Sequence, residues 1–489
     1  MKLWIIGHPC EYEMRHLSGM FFPGEPFEVL NEEYVPGENG IVTKILEQNS
    51  TQTAIVQVFF EEKHYEEQEE FNASMATKLF QEEVLGRLLY TILSEITGIS
   101  PPWGILTGVR PEKFVQEAHA NGASDEEILE DFQKKYLMSP QKIDLLLKTS
   151  VGQGRALRKH PPGGIDLYVG IPFCPSRCLY CSFVSHDTAR AGKLIPEYLE
   201  RLCEELAYTG MIFREKKIPL HTIYIGGGTP TTLSPEELRK LLSAIEDAFD
   251  LSKLAEYTVE AGRADTITTE KLEVLYDYKV NRVSINPQSM QLSVLEAVGR
   301  PGTPEQVIEA FYLAKKIGFP VVNMDLIAGL HTDTVRGFSD SLQKVLTLHP
   351  ENITIHTLAV KRASDMVEQG KAIYDASSGV VEKMLNFAYP LLEMEGYEPY
   401  YLYRQKNMRE NMENVGFALP GSENLYNIYM MDELETIVAC GAGSVSKLVD
   451  VRSGKIERVF NFKNPHEYLR RFDEILERKA KIRDFLESD

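Results

Sequence analysis

From Asp166 to about residue 360, short apolar runs of β character alternate with amphipathic helical stretches, and no other feature constrains the fold of this 489-residue chain as tightly. The spacing predicts strands at LYVGIPF (167–173), TIYIGG (222–227), YTVEAG (257–262), RVSINPQ (282–288), VVNMDLIAG (321–329) and NITIHTLAV (352–360). Helical segments with apolar residues three and four apart lie between them. Two open with Ser-Pro-Glu-Glu or Thr-Pro-Glu, good chemistry for a first helical turn. Strand and helix in strict alternation build a parallel sheet. Six units specify an α/β fold, a partial (β/α)6 TIM-type barrel over residues 165–362, whose strand ends converge on one active-site face.

The flanks read differently. Residues 1–75 alternate β-rich runs, IVTKIL (41–46) and TAIVQVFF (53–60), with Gly and Pro turns, then an acidic stretch, EEKHYEEQEEF. Residues 76–160 carry helical periodicity and form a connector. Residues 363–489 form a mixed α/β region that holds YEPYYLYRQKN and ends in a charged helix.

Composition excludes several function classes. A net charge of -20, from 52 basic and 72 acidic residues, repels phosphate backbones and argues against a nucleic-acid partner. No apolar stretch has the length of a membrane span or a signal peptide, so the expectation is a cytoplasmic protein without membrane insertion. Six cysteines, three of them within eight positions, are not a disulfide framework; they suggest a reduced compartment and a metal site.

Those three are Cys174, Cys178 and Cys181, placed where the first barrel strand ends. Three thiolates on a tight loop suit three irons of a four-iron cubane, and because such clusters usually take four cysteines, one iron stays open for an outside ligand. Zinc is the competing occupant, with His186 as local fourth ligand, since structural zinc takes four protein ligands. Cys10, Cys203 and Cys440 read as isolated packing thiols.

The stretch Tyr168-Val169-Gly170-Ile171-Pro172-Phe173-Cys174 through Cys181-Ser182-Phe183 resembles the cluster loop of the radical S-adenosylmethionine (SAM) superfamily. Within it, the resemblance is to the oxygen-independent coproporphyrinogen III oxidase (dehydrogenase) family. The long N-terminal region and the TGVRPEK string are most similar to that family's longer dehydrogenase-like subgroup. Two positions depart from the pattern: Gly170 stands where the family has a histidine, and Phe183 where established oxidases carry a further cysteine. The related heme-chaperone branch also lacks that cysteine.

The resemblance implies a 4Fe-4S cluster on Cys174, Cys178 and Cys181, with SAM at its open iron. It assigns the segment containing Gly227, Gly228 and Thr229 to the methionine amino group of SAM, and places Glu260 near the same group. By the same likeness Gln288 contacts the ribose, Arg300 pairs with the SAM carboxylate, Asp325 contacts SAM and Tyr168 is the catalytic candidate. The implied substrate is a tetrapyrrole and the implied partner a one-electron donor such as flavodoxin or ferredoxin. The implied reaction is oxidative decarboxylation of coproporphyrinogen III propionates to vinyl groups, giving protoporphyrinogen IX in anaerobic heme biosynthesis. A heme chaperone of the same fold, or an enzyme acting on another tetrapyrrole, remain alternatives. Arg263, Lys361, Arg362 and Arg404 are candidate cations for substrate carboxylates.

Overall fold

The computed structural model describes residues 1–32, 34, 38–108, 110–183, 185–359, 379–405, 408–450 and 452–488. They fall into two compact units, one of residues 1–148 with 379, 404–405 and 408–412, the other of the remainder. The division lies inside the helix Pro140–Lys159.

The first unit holds a five-stranded sheet ordered Glu28–Leu30, Lys2–Ile6, Gly40–Gln48, Thr51–Phe60, Lys63–Asn72. Its last strand is the acidic stretch, and the charges face solvent along an open edge, where like-charged side chains discourage pairing with another chain. Helix Lys78–Thr97 starts where Thr77 accepts the Phe80 N–H and stops at Gly98, whose φ of 68° a side chain would resist.

The second unit is built on an eleven-stranded sheet. Its centre is six parallel strands in chain order: Ile165–Ile171, Leu220–Gly227, Glu256–Gly262, Arg282–Ile285, Val321–Ala328 and Asn352–Thr357. The expected partial barrel is therefore present. Helices cover its outside, and the outward residues Leu167, Val169, Ile223, Val259, Val283 and Ile353 have no exposed surface. Capping boxes at Ser234/Glu237 and Thr303/Gln306 start two of those helices.

The inward face is polar. Parallel register sets Tyr168 beside Tyr224, Tyr224 beside Thr258 and Thr258 beside Arg282. One step toward the strand ends, Gly170 stands beside Gly226, and Ser284 beside Asn323. Deeper in, Arg282 and Glu256 form a buried ion pair at 3.2 Å. Glu256 also accepts the Leu425 and Tyr426 N–H groups at 2.9 and 3.3 Å, where a carboxylate suits the positive end of helix Leu425–Asp432. That cap brings Tyr426 onto Tyr224, ring centroids 4.6 Å apart.

The mixed C-terminal region adds strands to both edges of the barrel sheet. Asn414–Ala418 and Glu398–Tyr403 continue it antiparallel beyond Asn352–Thr357. Thr436–Cys440 lies parallel beside the first barrel strand, followed by Val445–Asp450 and Lys455–Phe460. Among the described residues, no helix is long and apolar enough to cross a membrane.

Candidate active site

The three-cysteine loop is tied to the barrel on several sides. Pro172 ends the first strand, and Phe173–Cys174 pairs with His186–Asp187. The Gly228 and Thr229 N–H groups donate to Ile171 O and Phe173 O at 2.7 and 2.8 Å, stitching the glycine segment to the loop. Leu179 N–H reaches Val298 O at 3.0 Å, and Arg263 donates to Ser176 O at 2.9 Å. A Cβ on Gly228 would lie 2.6 Å from Phe173 O and 2.9 Å from Ile171 O, both backbone atoms. Only glycine allows that approach.

Cys174 and Cys178 are buried, and Cys181 is half-buried. Burial pushes the Cys174 and Cys181 thiols up, and the neighbouring Cys178 adds to both shifts, so the three sulfurs sense one another. The Thr229 hydroxyl lies 3.4 Å from Cys174 Sγ and opposes the shift there. Metal binding at such a site releases protons. Among the described residues, no three His, Cys, Asp or Glu side chains converge as ligands of a single ion would. Three thiols on one short loop can each take a different iron of a cubane, leaving the fourth iron open. The donor set fits the cluster.

Beside the loop lies a pocket of polar groups at the strand ends. Tyr224 donates to Glu260 Oε1 at 2.6 Å, and a Cβ on Gly226 would stand 2.9 Å from the same carboxyl group. Burial pushes Glu260 up to about 7; the Tyr224 hydroxyl pulls down and Asp325 pushes further up. Gly227 has φ 108°, and a Cβ there would lie 3.4 Å from the Tyr168 hydroxyl. Tyr168, Tyr224 and Tyr426 stack on one another, and burial followed by the Glu260 charge holds the Tyr168 phenol above its ordinary range.

Gln288 takes φ 64°, a conformation rare for a side chain of its size, held by its N–H on Asp325 O and its carbonyl on Ile327 N–H at 2.8 and 2.9 Å. Its Oε1 and the Asn286 Oδ1 are buried without a protein partner. Acceptors left so are costly unless a ligand or water fills them, and they fit the hydroxyl and amine donors of a nucleoside. Asp325 accepts from Asn323 at 2.7 Å and stands 3.6 Å from His356 Nε2.

Arg300 is placed toward the loop. Its Nη2 donates to Gly262 O at 3.0 Å and Asn286 O at 2.5 Å, while Nη1 lies 3.3 Å from Tyr180 Oη and 3.9 Å from Cys178 Sγ. Thus Tyr168, Gly227, Gly228, Thr229, Glu260, Gln288 and Asp325 lie on or just after barrel strands. The three cysteines lie on the loop that follows the first of those strands, and Arg300, after helix Leu292–Ala297, reaches back to Gly262 O and Asn286 O.

Residues 168–345 match the radical SAM superfamily. The chain is 39% identical, over 84% of its own length and 83% of the relative's, to the oxygen-independent coproporphyrinogen-III oxidase-like protein HemZ of Bacillus subtilis. The chain belongs to the oxygen-independent coproporphyrinogen III oxidase family of radical SAM proteins. Also similar is the heme chaperone HemW of Lactococcus lactis, 31% identical over 65% of this chain and 79% of the relative. Coproporphyrinogen III oxidase HemN from Escherichia coli, a radical SAM enzyme, shares the fold at a TM-score of 0.50 and 23% identity, covering 65% of this chain and 71% of that one. Membership in the coproporphyrinogen III oxidase family makes a 4Fe-4S cluster and SAM the cofactors.

The candidate cations fare differently. Arg263 is occupied by Asp265, in a two-armed pair at 2.9 and 2.7 Å, and by Ser176. Arg404 serves the first unit, its guanidinium 5.0 Å from the Trp103 ring centroid and donating to Leu106 O at 2.6 Å. Lys361 and Arg362 lie outside the described residues. Tyr224, Asn286, His356 and Tyr426 were not anticipated from the sequence. Alternation along TIYIGG does carry a signal for Tyr224, because Thr222, Tyr224 and Gly226 must share a face. Nothing local marks Tyr426, whose place depends on Glu256, 170 residues earlier.

Proposed function

We propose that this protein carries out oxidative decarboxylation of coproporphyrinogen III, turning two propionates into vinyl groups to give protoporphyrinogen IX. The observation that carries the reading is the likeness to the coproporphyrinogen-III oxidase-like relative over most of both chains; in this chain the three-cysteine loop and the Tyr168, Tyr224 and Tyr426 rings of the lumen are consistent with it. In this reading Cys174, Cys178 and Cys181 each bind one iron. Gly227, Gly228 and Thr229 offer backbone and hydroxyl groups to the methionine end of SAM, with Glu260 accepting from its ammonium. Gln288 and Asn286 accept from its nucleoside. Asp325 adds a second acceptor and Arg300 a positive charge between cluster and SAM carboxylate. Tyr168, over Gly227, bounds the space where substrate meets SAM.

When bound, the cluster and SAM would supply radical hydrogen abstraction at the β-carbon of a propionate. The chain's contribution is position and exclusion of water: the stacked tyrosines close the lumen behind the pocket. Each propionate then loses carbon dioxide and gives one electron to an acceptor. A flavodoxin or ferredoxin in the cytoplasm is the proposed electron donor.

A second reading is a heme chaperone. Phe183 is 67% exposed two residues after the third cysteine, and the chaperone relative shares much of the chain. Anaerobic incubation of reconstituted protein with SAM, reductant and coproporphyrinogen III, followed by mass spectrometry, separates the two. Successive loss of two carbon dioxides, with the singly decarboxylated species seen when SAM is limiting, supports the oxidase. SAM cleavage without decarboxylation, together with stoichiometric heme binding, selects the chaperone.

A further inference from the structure

We infer that the C-terminal helix Phe472–Ser488 positions the cluster loop, through a buried polar chain that runs from Lys479 by way of Glu205 and Tyr198 to Gly170. The inference rests on the reading of Cys174, Cys178 and Cys181 as the cluster's ligands. Lys479 and Glu205 are 274 residues apart, and their ion pair at 3.0 Å has side chains 1% and 0% exposed. Glu205 also accepts from Tyr468 at 2.6 Å, from Asn461 at 2.8 Å and from the Gly441 N–H at 2.8 Å. Lys479 donates to Ala439 O as well.

Burying two ions costs several kcal/mol each, so such a pair adds little stability over a well-packed apolar one. With every oxygen of Glu205 satisfied, what it does supply is a single geometry for the turn Cys440-Gly441-Ala442-Gly443. That turn presses on the first barrel strand. A Cβ on Gly441, at φ 97°, would stand 2.4 Å from Gly170 O and 2.7 Å from the Tyr198 hydroxyl.

Tyr198 joins the turn to the loop. Its hydroxyl accepts from Ala442 N–H at 2.8 Å and donates to Gly170 O at 2.7 Å, so both roles of the oxygen are used. Its ring meets Phe173 edge-on at 5.2 Å, one residue before Cys174. The Phe173 carbonyl in turn receives Thr229 from the glycine segment. The backbone leading into the first cysteine is therefore held from the C-terminal side by Tyr198 and from the barrel side by Thr229. Tyr198 and Glu205 act through the loop and need not touch the cluster or its ligands.

The test compares Tyr198→Phe, which keeps the ring and removes both hydrogen bonds, with Tyr397→Phe. Tyr397 makes an equally buried bond to Pro350 O at 2.6 Å in the same unit. Each is reconstituted with iron and sulfide, and three things are measured: iron release to a ferrous chelator, the electron paramagnetic resonance spectrum of the reduced cluster, and thermal stability. Tyr198→Phe should release iron about fivefold faster than Tyr397→Phe, the equivalent of one net hydrogen bond, with a broadened spectrum. Tyr468→Phe, which strips one donor from Glu205, should move the same way by less, and it carries the test if Tyr198→Phe does not fold. Equal iron release and identical spectra in Tyr198→Phe, or in Tyr468→Phe where that carries the test, and Tyr397→Phe would overturn the inference. Failure of the wild-type chain to take up any cluster would instead overturn the reading of the three cysteines.

Discussion

Tyr224 donates a 2.6 Å hydrogen bond to Glu260, and this phenol restrains a carboxyl group that burial has already pushed up to about 7. A carboxyl group in that range is partly protonated at neutral pH, and only its ionised form attracts the ammonium of SAM. Acid should therefore weaken binding, by about tenfold per pH unit below the midpoint. The Tyr224 hydroxyl stabilises the ionised form, so Tyr224→Phe should move the midpoint to higher pH and weaken SAM binding at pH 7. Equilibrium dialysis of radiolabelled SAM from about pH 5.5 to 7.5, where an α-ammonium stays largely charged, checks both. A flat profile in the wild-type protein would show that Glu260 does not meet the ammonium.

Replacing Cys174, Cys178 or Cys181 by Ala should remove the cluster's charge-transfer absorbance and SAM cleavage together. Cys203 lies on helix Ile195–Lys216, outside the Cys174–Cys181 loop and with Lys240, Glu200 and Glu204 as its charged neighbours, and Cys203→Ala should leave both intact. Full absorbance in the Cys178 variant is the result that sinks the ligand assignment.

The barrel was legible because each strand's outward residues, such as Val169, Ile225 and Val283, alternate with inward ones, and because Ser234 and Thr303 announce their helices chemically. The cluster loop was legible because cysteine spacing is local. Lys63–Asn72 carries no apolar alternation in the sequence, because the face it turns to helix Lys78–Thr97 includes Glu67 and Glu69, the latter paired with Arg87, and only Phe71 on it is buried. The strand Thr436–Cys440 is five buried residues whose partner, Ile165–Ile171, lies some 270 positions earlier. Its pairing, like that of Glu205 with Lys479, is a property of the folded chain. Arg263 and Arg404 stand out in the sequence as candidate cations for substrate carboxylates because charge shows there while the carbonyls and carboxylates that consume it do not.

Gly228→Ala should disable the site with little effect on the rest of the barrel. The added methyl would meet two backbone carbonyl oxygens at 2.6 and 2.9 Å, and backbone cannot swing aside as a side chain can. The Gly228 and Thr229 hydrogen bonds to the loop would break. Cluster uptake and SAM affinity should both fall while circular dichroism stays near wild type. Normal SAM binding by this variant would mean that the glycine segment has room to relax.

Arg300→Lys keeps the charge and should still fail. The guanidinium reaches Gly262 O and Asn286 O with one nitrogen, and Tyr180 and the Cys178 sulfur with the other. An ammonium is a compact point charge and cannot span both sides of that gap. Losing a charge-assisted contact costs about 1.5–3 kcal/mol, or roughly one to two decades of SAM affinity. Because Arg300 stands beside Cys178, replacing its guanidinium by an ammonium that cannot hold the same N–H donors toward the sulfur should also lower the reduction potential of the cluster, since hydrogen bonds near the sulfurs help set that potential. A redox titration of Arg300→Lys followed by electron paramagnetic resonance, run beside SAM binding, reads the two effects separately. A shifted potential with unchanged SAM affinity would assign Arg300 to the cluster rather than to the SAM carboxylate, and no change in either would remove it from the site.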